Sequence, residues 1–421
     1  MPPASSADGG FSPLDAELGL LPNHRFTPRV EELLARLGGT VGFAEAAALL
    51  HLVLGVTVSE ATVRQRTYAA GEALLAVEAA ALDQALRAPT SAAVPPERLL
   101  VSLDATKVPL VGGAWTDVKL AVFAELVPGP CDADGYPTAE ACALSYAARW
   151  QPAAQFGQTI TLEAQRRGVD EARVVVSPND GADWIQGNLD LVAPRAIRIL
   201  DPPHAITHLG TIAALVHGVA APEVAPWVAA QYRTLREAGP APVLARLAAC
   251  RERGPCDTPP PCPDTLTPAE YLAREVAYFE KRAAQLDYAT FRRAGYPLGS
   301  GCVESGHKVV IAPRFKRAGQ HWAAPHLNPL LVLRTTICND RWPTQWSASW
   351  TEQVRATRAA RVTAQDQRAA RRAPAPTSAA PASAATATPT ARPRPKLVVA
   401  GRPTADHPWR KPFLRPARAA D

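Results

Sequence analysis

Five short apolar runs in the middle of the chain constrain its fold more than any other feature of the sequence. Each run is rich in aliphatic or β-branched residues and is followed by polar or turn-forming residues, a pattern that predicts β-strands. The runs lie at residues 98–104, 118–126, 143–150, 173–177 and 196–200. The first ends in Asp104, the fourth continues into the turn that holds Asp180, and the fifth is followed by Asp201. We therefore expect a sheet with acidic residues at the ends of its strands.

The order of the predicted elements indicates the fold class. Residues 153–167 predict a helix, so the order is three strands, then helix, strand, helix and strand. This order is typical of an RNase H-like mixed sheet, an α/β fold, with its first part at residues 98–204. Residues 205–293 are mostly helical and too long for a loop, so they predict a helical insertion before the final core helices at 294–345.

Residues 28–97 predict an N-terminal helical domain after a short segment, 1–27. The run from Phe43 to Leu54 predicts one helix, and Ser59 is a suitable N-cap for the next. Two helices joined by a glycine-containing turn are the outline of a helix-turn-helix, although an ordinary helical hairpin has the same outline. The second helix carries side chains suited to the phosphates and base edges of double-stranded DNA, among them Arg64 and Arg66.

The positive charge of the chain is concentrated near its C-terminus. The whole chain has a net charge of +6, whereas residues 351–421 contain 14 Lys and Arg against 4 Asp and Glu, a net charge of +10. Beyond about residue 365 the composition is mainly Ala, Pro, Thr, Ser and Arg, which predicts disorder. Residues 346–421 are therefore expected to be a basic, mostly disordered tail. Such a tail either contacts DNA phosphates without sequence preference or has no role.

Neither a membrane protein nor a secreted protein is predicted. No run approaches the ~18 apolar residues of a transmembrane helix, and the first residues do not resemble a secretory signal. Seven cysteines without paired spacing agree with a reducing compartment. We expect a cytoplasmic, nucleoid-associated protein with no membrane partner.

Three acidic residues are candidates for a site of metal-dependent phosphoryl transfer. Such a site needs about three carboxylates at one edge of a sheet, where they hold two divalent cations roughly 3.5–4 Å apart. Asp104 and Asp180 lie at the ends of predicted strands, and Glu304 lies where a helix can pack back against the sheet. A single Asp at a strand end is more often a turn former. The hypothesis therefore depends on the order and topology of the whole set.

Three motifs around these residues resemble one family of enzymes. They are Leu103-Asp-Ala-Thr-Lys-Val-Pro109, Asn179-Asp-Gly-Ala-Asp-Trp-Ile185 and Gly295-Tyr-Pro-Leu-Gly-Ser-Gly-Cys-Val-Glu-Ser305. They look like the signature of ISKra-type insertion-sequence transposases, and the resemblance extends from about Phe11 to Trp342. These enzymes are similar to the Mutator and hAT transposases, which implies a DDE nuclease core with a helical insertion before the last carboxylate.

The resemblance also implies roles for individual residues. The catalytic metal ligands, for two Mg²⁺ or Mn²⁺ ions, would be Asp104, Asp180 and Glu304. The motif Asp201-Pro-Pro-His204 matches one of the wider group and implies that Asp201 and His204 support the site. Direct metal ligation by Asp201 stays open as an alternative to Asp180, and Asp183 is a weaker second choice.

Basic residues that follow Glu304 are predicted to contact DNA. Lys308 lies one helical turn beyond Glu304 on the same face, and the basic side continues with Arg314 and Lys316. The alternative for Lys308 is a surface ion pair with Glu304. His307, in the same segment, is interpreted as an ordinary polar residue rather than a ligand.

These features together predict a DDE transposase. It would cleave DNA at transposon ends and transfer the freed strand into target DNA, as a homo-oligomer on double-stranded DNA. The alternative is a catalytically silent, transposase-derived DNA-binding protein. The set of carboxylates favours the enzyme, whereas the lack of any CxxC pair, where relatives carry a zinc-ribbon-like segment, favours the alternative.

Overall fold

A computed structural model describes residues 26–88, 95–263, 265–372, 398–399 and 402–403 of the chain. It begins with three helices, α1 (Pro28–Thr40), α2 (Phe43–Leu54) and α3 (Glu60–Arg87). The side chain of Ser59 caps α3 by accepting a hydrogen bond from the backbone N–H of Thr62, and left-handed Gly55 ends α2. The predicted pair of helices with a glycine turn between them is therefore confirmed.

A mixed sheet of five strands follows, formed by β1 (Arg98–Pro109), β2 (Trp115–Gly129), β3 (Thr138–Arg149), β4 (Val174–Asn179) and β5 (Ile197–Leu200). The strand order is β3-β2-β1-β4-β5, in which β2 is antiparallel to β1 and β3, and β4 is parallel to β1 and β5. The five predicted strands and the α/β class are confirmed. The predicted end of the first strand is wrong, because β1 continues past Asp104 and pairs with β2 as far as Pro109.

Helices cover both faces of the sheet. On one face, α4 (Ala153–Arg166) and α5 (Asp183–Val192) pack against side chains of β1 and β2 such as Val101 and Phe123. Part of the other face is covered by helices that lie between β5 and Glu304 along the chain. They are α6 (Pro202–His217), α7 (Val224–Ala238), α8 (Ala241–Arg253), α9 (Pro268–Lys281) and α10 (Tyr288–Arg293).

The rest of that face is covered by the N-terminal helices together with the last helices of the chain. The latter are α11 (Gly301–Gly306), a π-helical turn (His307–Ile311), α12 (Ala312–Phe315), α13 (Leu327–Cys338) and α14 (Trp342–Arg372). Leu34 of α1, Leu74 of α3 and Leu331 of α13 share one buried cluster with Val122 of β2. A Cβ atom on Gly71 would lie 2.1 Å from the carbonyl oxygen of Pro329, so α3 and α13 touch backbone to backbone.

The chain divides into two compact units, residues 1–363 and 364–421. Helix α14 continues to Arg372, so residues 346–372, expected to begin a mostly disordered tail, are helical. In the second unit, Val398–Val399 pairs antiparallel with Arg402–Pro403. The other residues of the predicted tail, and residues 1–25, lie outside the described residues. None of the described helices is long and apolar enough to cross a membrane.

A buried ion pair joins α4 to the turn between α13 and α14. Glu163 is only 3% exposed, and both of its oxygens accept hydrogen bonds from Arg341, at 2.5 and 2.7 Å. Burial by itself raises the pKa of Glu163, but the hydrogen bonds and charge of Arg341 outweigh burial and hold this pKa below its usual value. The pair therefore stabilises the folded state when Glu163 is ionised.

Replacement of Arg341 with Met should lower the free energy of unfolding at pH 7 by up to about 3–5 kcal/mol, because Glu163 would stay buried and charged with only the longer contact to Arg166, at 3.5 Å. The pKa of Glu163 is lower in the folded than in the unfolded protein. The stabilisation is thus present above the unfolded pKa, near 4.5, and is lost as the pH falls through the folded pKa. Urea denaturation of both proteins should show a smaller difference at pH 4 than at pH 7.

The matched control is Arg355→Met, which removes an exposed pair with Glu352 on the same helix α14. This change should have little effect, since exposed ion pairs contribute little to stability. Equal losses in the two variants would contradict the role assigned to the buried pair.

Candidate active site

Acidic residues from three neighbouring strands meet at one edge of the sheet. Asp104 lies in β1 opposite Leu120, Asp180 directly follows β4, and Asp201 directly follows β5. Because β1, β4 and β5 are parallel, their carboxyl ends point to the same edge. The sequence-predicted acids therefore lie on adjacent strands.

Side chains continue the pairing of β1 with β4 where the backbone ladder stops. The ladder ends at the pair Leu100 and Val176, and Pro178 has no N–H to donate. Ser102 donates its hydroxyl to the carbonyl oxygen of Pro178 at 2.6 Å, and Leu103 donates its N–H to Oδ1 of Asn179 at 2.6 Å. These bonds fix the residue before Asp104 beside the residue before Asp180.

Asn179 also ties β4 to β5. Its side chain is almost completely buried, its Nδ2 donates to Oγ of Ser177 at 2.8 Å, and its backbone carbonyl oxygen accepts the N–H of Asp201 at 2.8 Å. The side chain of Asn179 thus joins β4 to β1, while its backbone joins β4 to β5. This role was not predicted from the sequence.

The turn that carries Asp180 is held by the last residues of α9 and the residue after it. Oδ1 of Asp180 accepts the N–H of Ala182 at 2.8 Å, and the hydroxyl of Tyr278 donates to the carbonyl oxygen of Asp180 at 2.9 Å. Arg282 stacks on Tyr278 and donates through Nε to the carbonyl oxygen of Gly181 at 2.9 Å. The helical segment between β5 and Glu304 thus shapes this turn directly.

The charges at this edge are only partly compensated. Burial raises the pKa of Asp180, and the nearby charge of Asp104 raises it further, against the hydrogen bond from Ala182 and the charges of His204 and Arg282. The pKa of His204 is raised, first by its hydrogen bond with Asp201 and also by the charges of Asp180 and Asp104. An imidazolium at His204 therefore lies within electrostatic reach of all three aspartates.

Asp201 is fully engaged by its neighbours. It is 1% exposed, its Oδ1 accepts the N–H of Ser300 at 2.8 Å, and its Oδ2 lies 2.9 Å from Nδ1 of His204. Ser300 in turn donates its hydroxyl to Oε1 of Glu304 at 3.4 Å. Asp201 therefore connects β5 to the helix that carries Glu304.

His307 contacts Asp104 directly, with 3.0 Å between Nε2 and Oδ2. It follows Glu304 by three residues and begins the π-helical turn. Its interpretation as a polar residue and not a ligand stays a prediction, but its contact with Asp104 was not predicted. The i,i+3 spacing that puts two residues on one helix face was the available signal. The helical segment that carries Glu304 thus reaches two strands of the sheet, through His307 at Asp104 and through Ser300 at Asp201.

The predicted DNA-binding residues differ widely in exposure. Lys308 is exposed and, within the described part of the chain, makes no ion pair with Glu304. Lys316 is exposed and donates to the hydroxyl of Thr106, two residues beyond Asp104 in β1. Both ammonium groups are therefore accessible from solvent.

The position of Arg314 disagrees with its predicted role in DNA contact. It is 1% exposed, donates to the carbonyl oxygen of Gly38 at 3.0 Å, and lies between the rings of Phe43 and Trp322. Burial lowers the pKa of Arg314 to about 10. A guanidinium without exposed surface cannot contact the phosphates of a DNA duplex, so that prediction is wrong for this conformation.

Arg64 and Arg66 of α3, and Asp183, also have identifiable partners. Arg66 is mostly covered, with its Nε 3.6 Å from Oε1 of buried Glu31, whereas Arg64 is half exposed. Asp183 is exposed, and its pKa is lowered first by a hydrogen bond from Lys281. Of the two arginines, Arg64 has the charge that is more accessible to a phosphate.

No group of three or more His, Cys, Asp and Glu side chains among the described residues is already arranged to hold a metal ion. Models of protein families gave no match to the sequence, and no match to a curated protein was found either.

The turn after Asp180 should not tolerate a side chain at Gly181. Its φ is +80°, and a Cβ atom would lie 2.7 Å from the Tyr278 hydroxyl and 2.8 Å from Nε of Arg282. Gly181→Ala should lower the free energy of unfolding by about 1–3 kcal/mol, because both the backbone strain and the contacts oppose it. Urea denaturation would measure the loss.

Gly187 provides the matched control on the adjacent helix α5. A Cβ atom there has no neighbour within 4 Å. Gly187→Ala should raise the free energy of unfolding by about 0.4–1 kcal/mol. A Gly181→Ala variant as stable as the unmodified protein would contradict the clamp on this turn.

Proposed function

We propose that the protein is a DDE transposase with an RNase H-like core, which cleaves DNA at transposon ends and joins the freed strand to target DNA. One observation carries the proposal: a hydrogen bond links the residues before Asp104 and Asp180 on adjacent parallel strands, and the charge of Asp104 adds to burial in raising the pKa of Asp180. Glu304 lies in a late helix that Ser300 connects to Asp201. The strand order β3-β2-β1-β4-β5, with β2 antiparallel, agrees with an RNase H-like sheet. The helices α6 to α10 occupy the position of the helical insertion that the resemblance implies.

The chemistry of the donor set fits Mg²⁺ or Mn²⁺. Carboxylate oxygens are the ligands that hard divalent cations prefer. The pKa of Asp180 is raised first by burial and then by the charge of Asp104, and a bound cation would oppose both effects. Asp104, Asp180 and Glu304 would hold the two ions, which activate the attacking oxygen and stabilise the leaving oxygen when bound.

The occupied oxygens of Asp201 favour Asp180 as the second ligand. Asp201 already accepts hydrogen bonds at both oxygens and is buried, so ligation would require it to give up His204 or Ser300. Asp180 has one oxygen that accepts only the local N–H of Ala182. Asp201 then acts as a supporting residue that orients its two neighbours.

Other residues of the chain would prepare the site for DNA. His307 orients the carboxylate of Asp104, and Asn179 holds the strands in register. The imidazolium of His204 is half exposed and would lie against a scissile phosphate. Exposed Lys308 and Lys316 would contact neighbouring phosphates of the double-stranded DNA.

The second candidate is a catalytically silent, transposase-derived DNA-binding protein. The observation that favours it is the lack, among the described residues, of acidic side chains already close enough to hold a metal. Under this alternative the same fold binds DNA and never cuts it.

Removal of single carboxylate charges should distinguish the two candidates. Asp104→Asn, Asp180→Asn and Glu304→Gln should each abolish Mg²⁺- or Mn²⁺-dependent cleavage of DNA that flanks the reading frame, since each loses a ligand charge at nearly constant size. Asp201→Asn should retain a measurable rate, about 10–100-fold lower, because it removes a support and not a ligand. Gel analysis of end-labelled DNA would measure the rates.

Asp183→Asn is the matched control, because Asp183 belongs to the same turn but is exposed and paired with Lys281. It should cleave at nearly the unmodified rate. If Asp180→Asn is active and Asp201→Asn is not, Asp201 and not Asp180 is the second metal ligand. An unmodified protein that binds DNA but cuts it with neither metal would favour the silent alternative.

A further inference from the structure

A cavity of about 640 Å³ lies where the N-terminal helices meet the segment that follows α12. It contains none of the carboxylates of the candidate active site. Its lining includes Phe43 and Tyr68 from the N-terminal helices, and Arg314, Trp322 and His326 from the later segment. Its volume is in the range of pockets that bind small molecules or single nucleotides.

Three buried polar atoms in the wall of this cavity lack hydrogen-bond partners within the protein. They are Nη2 of Arg314, Oε1 of Gln320 and Nδ1 of His326. A buried polar atom without a partner costs about 1–3 kcal/mol. Three of them in one wall indicate a ligand that supplies both donors and acceptors, because Nη2 of Arg314 only donates, Oε1 of Gln320 only accepts, and a ring nitrogen of His326 can do either.

The same cavity has flat aromatic surfaces. Tyr68 stacks on His326 with 4.0 Å between ring centroids and 6° between planes, and Tyr68 is only partly buried. Trp322 lies close by, with the guanidinium of Arg314 4.8 Å from its ring centroid. Aromatic and guanidinium planes of this kind are the surfaces on which unstacked nucleobases bind.

The charge at the opening suits a phosphate. Arg64 is half exposed, and its nearest acidic group, Glu60, is 4.0 Å away. This long contact leaves the guanidinium able to bind a second anion. The cavity thus combines a cation at the rim, aromatic planes inside and unpaired polar atoms in the wall.

The cavity lies at the far end of the strand that carries Asp104. Leu110, just beyond β1, forms a parallel bridge with Trp322, and Trp322 donates its N–H to the carbonyl oxygen of Pro109 at 3.1 Å. Six residues of extended chain separate Asp104 from Leu110, about 20 Å at ~3.3 Å per residue. Lys316 contacts β1 between the two points, at Thr106. A nucleic-acid strand of roughly six stacked nucleotides would span this distance.

We propose that this cavity binds an unpaired base of a single DNA strand. The base stacks on the ring of Tyr68, its polar edge pairs with the amide of Gln320, and its phosphate contacts Arg64. Duplex DNA does not fit this role, because its bases are already stacked on one another and paired. The proposal rests on the proposed DNA-processing function and adds the strand form that this face of the protein recognises.

The test measures metal-free binding, in EDTA, so that it is independent of catalysis. A fluorescent single-stranded oligonucleotide of about 12 nucleotides with one 2-aminopurine, and the matching duplex, are titrated with the full chain. The single strand should bind more tightly than the duplex, and stacking should quench 2-aminopurine. Tyr68→Ala should weaken single-strand binding by about tenfold or more, while Tyr68→Phe, which keeps the aromatic plane, stays within about twofold.

Tyr271→Ala is the matched control, because Tyr271 is also partly buried and lies under an arginine, Arg274, but belongs to α9 and not to the cavity. It should bind like the unmodified chain. Gln320→Leu tests the polar wall without removing an aromatic ring and should weaken binding several-fold. If circular dichroism shows that Tyr68→Ala does not fold, Gln320→Leu replaces it as the test of the cavity.

The outcomes separate this inference from the proposed function. Equal binding of Tyr68→Ala and unmodified protein, or preference for the duplex, overturns the inference even if the protein cleaves DNA. Tyr68-dependent binding of the single strand supports it even if no cleavage is found with either metal. Absence of any single-strand binding overturns it, whereas the cleavage assay with Asp104→Asn still decides the transposase proposal.

Discussion

The candidate active site depends on the pairing of β1 with β4 beyond the point where their backbone ladder ends. Proline is rare in interior strands, and Pro178 lies in β4 between two parallel neighbours. Hydroxyl and amide side chains replace the ladder: Ser102 binds the Pro178 carbonyl, and the side chain of Asn179 binds the N–H of Leu103. A slip of one residue would turn Asp104 to the other face of the sheet. These side chains therefore extend the register of β1 and β4 up to the two aspartates, while the backbone of Asn179 continues the pairing with β5.

The same register brings negative charges together, and the surroundings compensate them unequally. Asp201 is buried but has a hydrogen bond to each oxygen, from Ser300 and His204, which is how a buried carboxylate is normally accommodated. Asp180 has burial and the charge of Asp104 against it, and its pKa is raised in consequence. If both carboxylates had only a structural role, we would expect each of them to have hydrogen-bond partners on both oxygens. The imbalance between two adjacent strand ends is therefore the best physical indication of which carboxylate has a function beyond stability.

Periodicity predicted the elements of this fold well and their contacts poorly. Five apolar runs were sufficient to predict the five strands, because such runs are local signals. Ser59 and the glycine turn at Gly55 likewise predicted where α3 begins and α2 ends. The extension of β1 past Asp104 depends on its pairing with β2. This pairing cannot be predicted from the composition of β1 alone. Arg314 was predicted at a DNA surface from its basic neighbours, but the π-helical turn before it and the rings of Phe43 and Trp322 make it a core residue. His307 was missed because its partner lies 203 residues earlier in the chain.

The N-terminal helices cannot be treated as an independent DNA-binding module. Leu34 and Leu74 lie in the same buried cluster as Val122 of the sheet, and the contact of Gly71 with Pro329 leaves no room for a side chain between α3 and α13. A contact this close makes α3 rigid relative to the helices that follow Glu304. Arg64 lies half exposed in the first turns of α3, so it belongs to the same packed unit as Asp104. Any DNA strand that contacts both would be positioned by the core itself and not by a flexible linker between two domains.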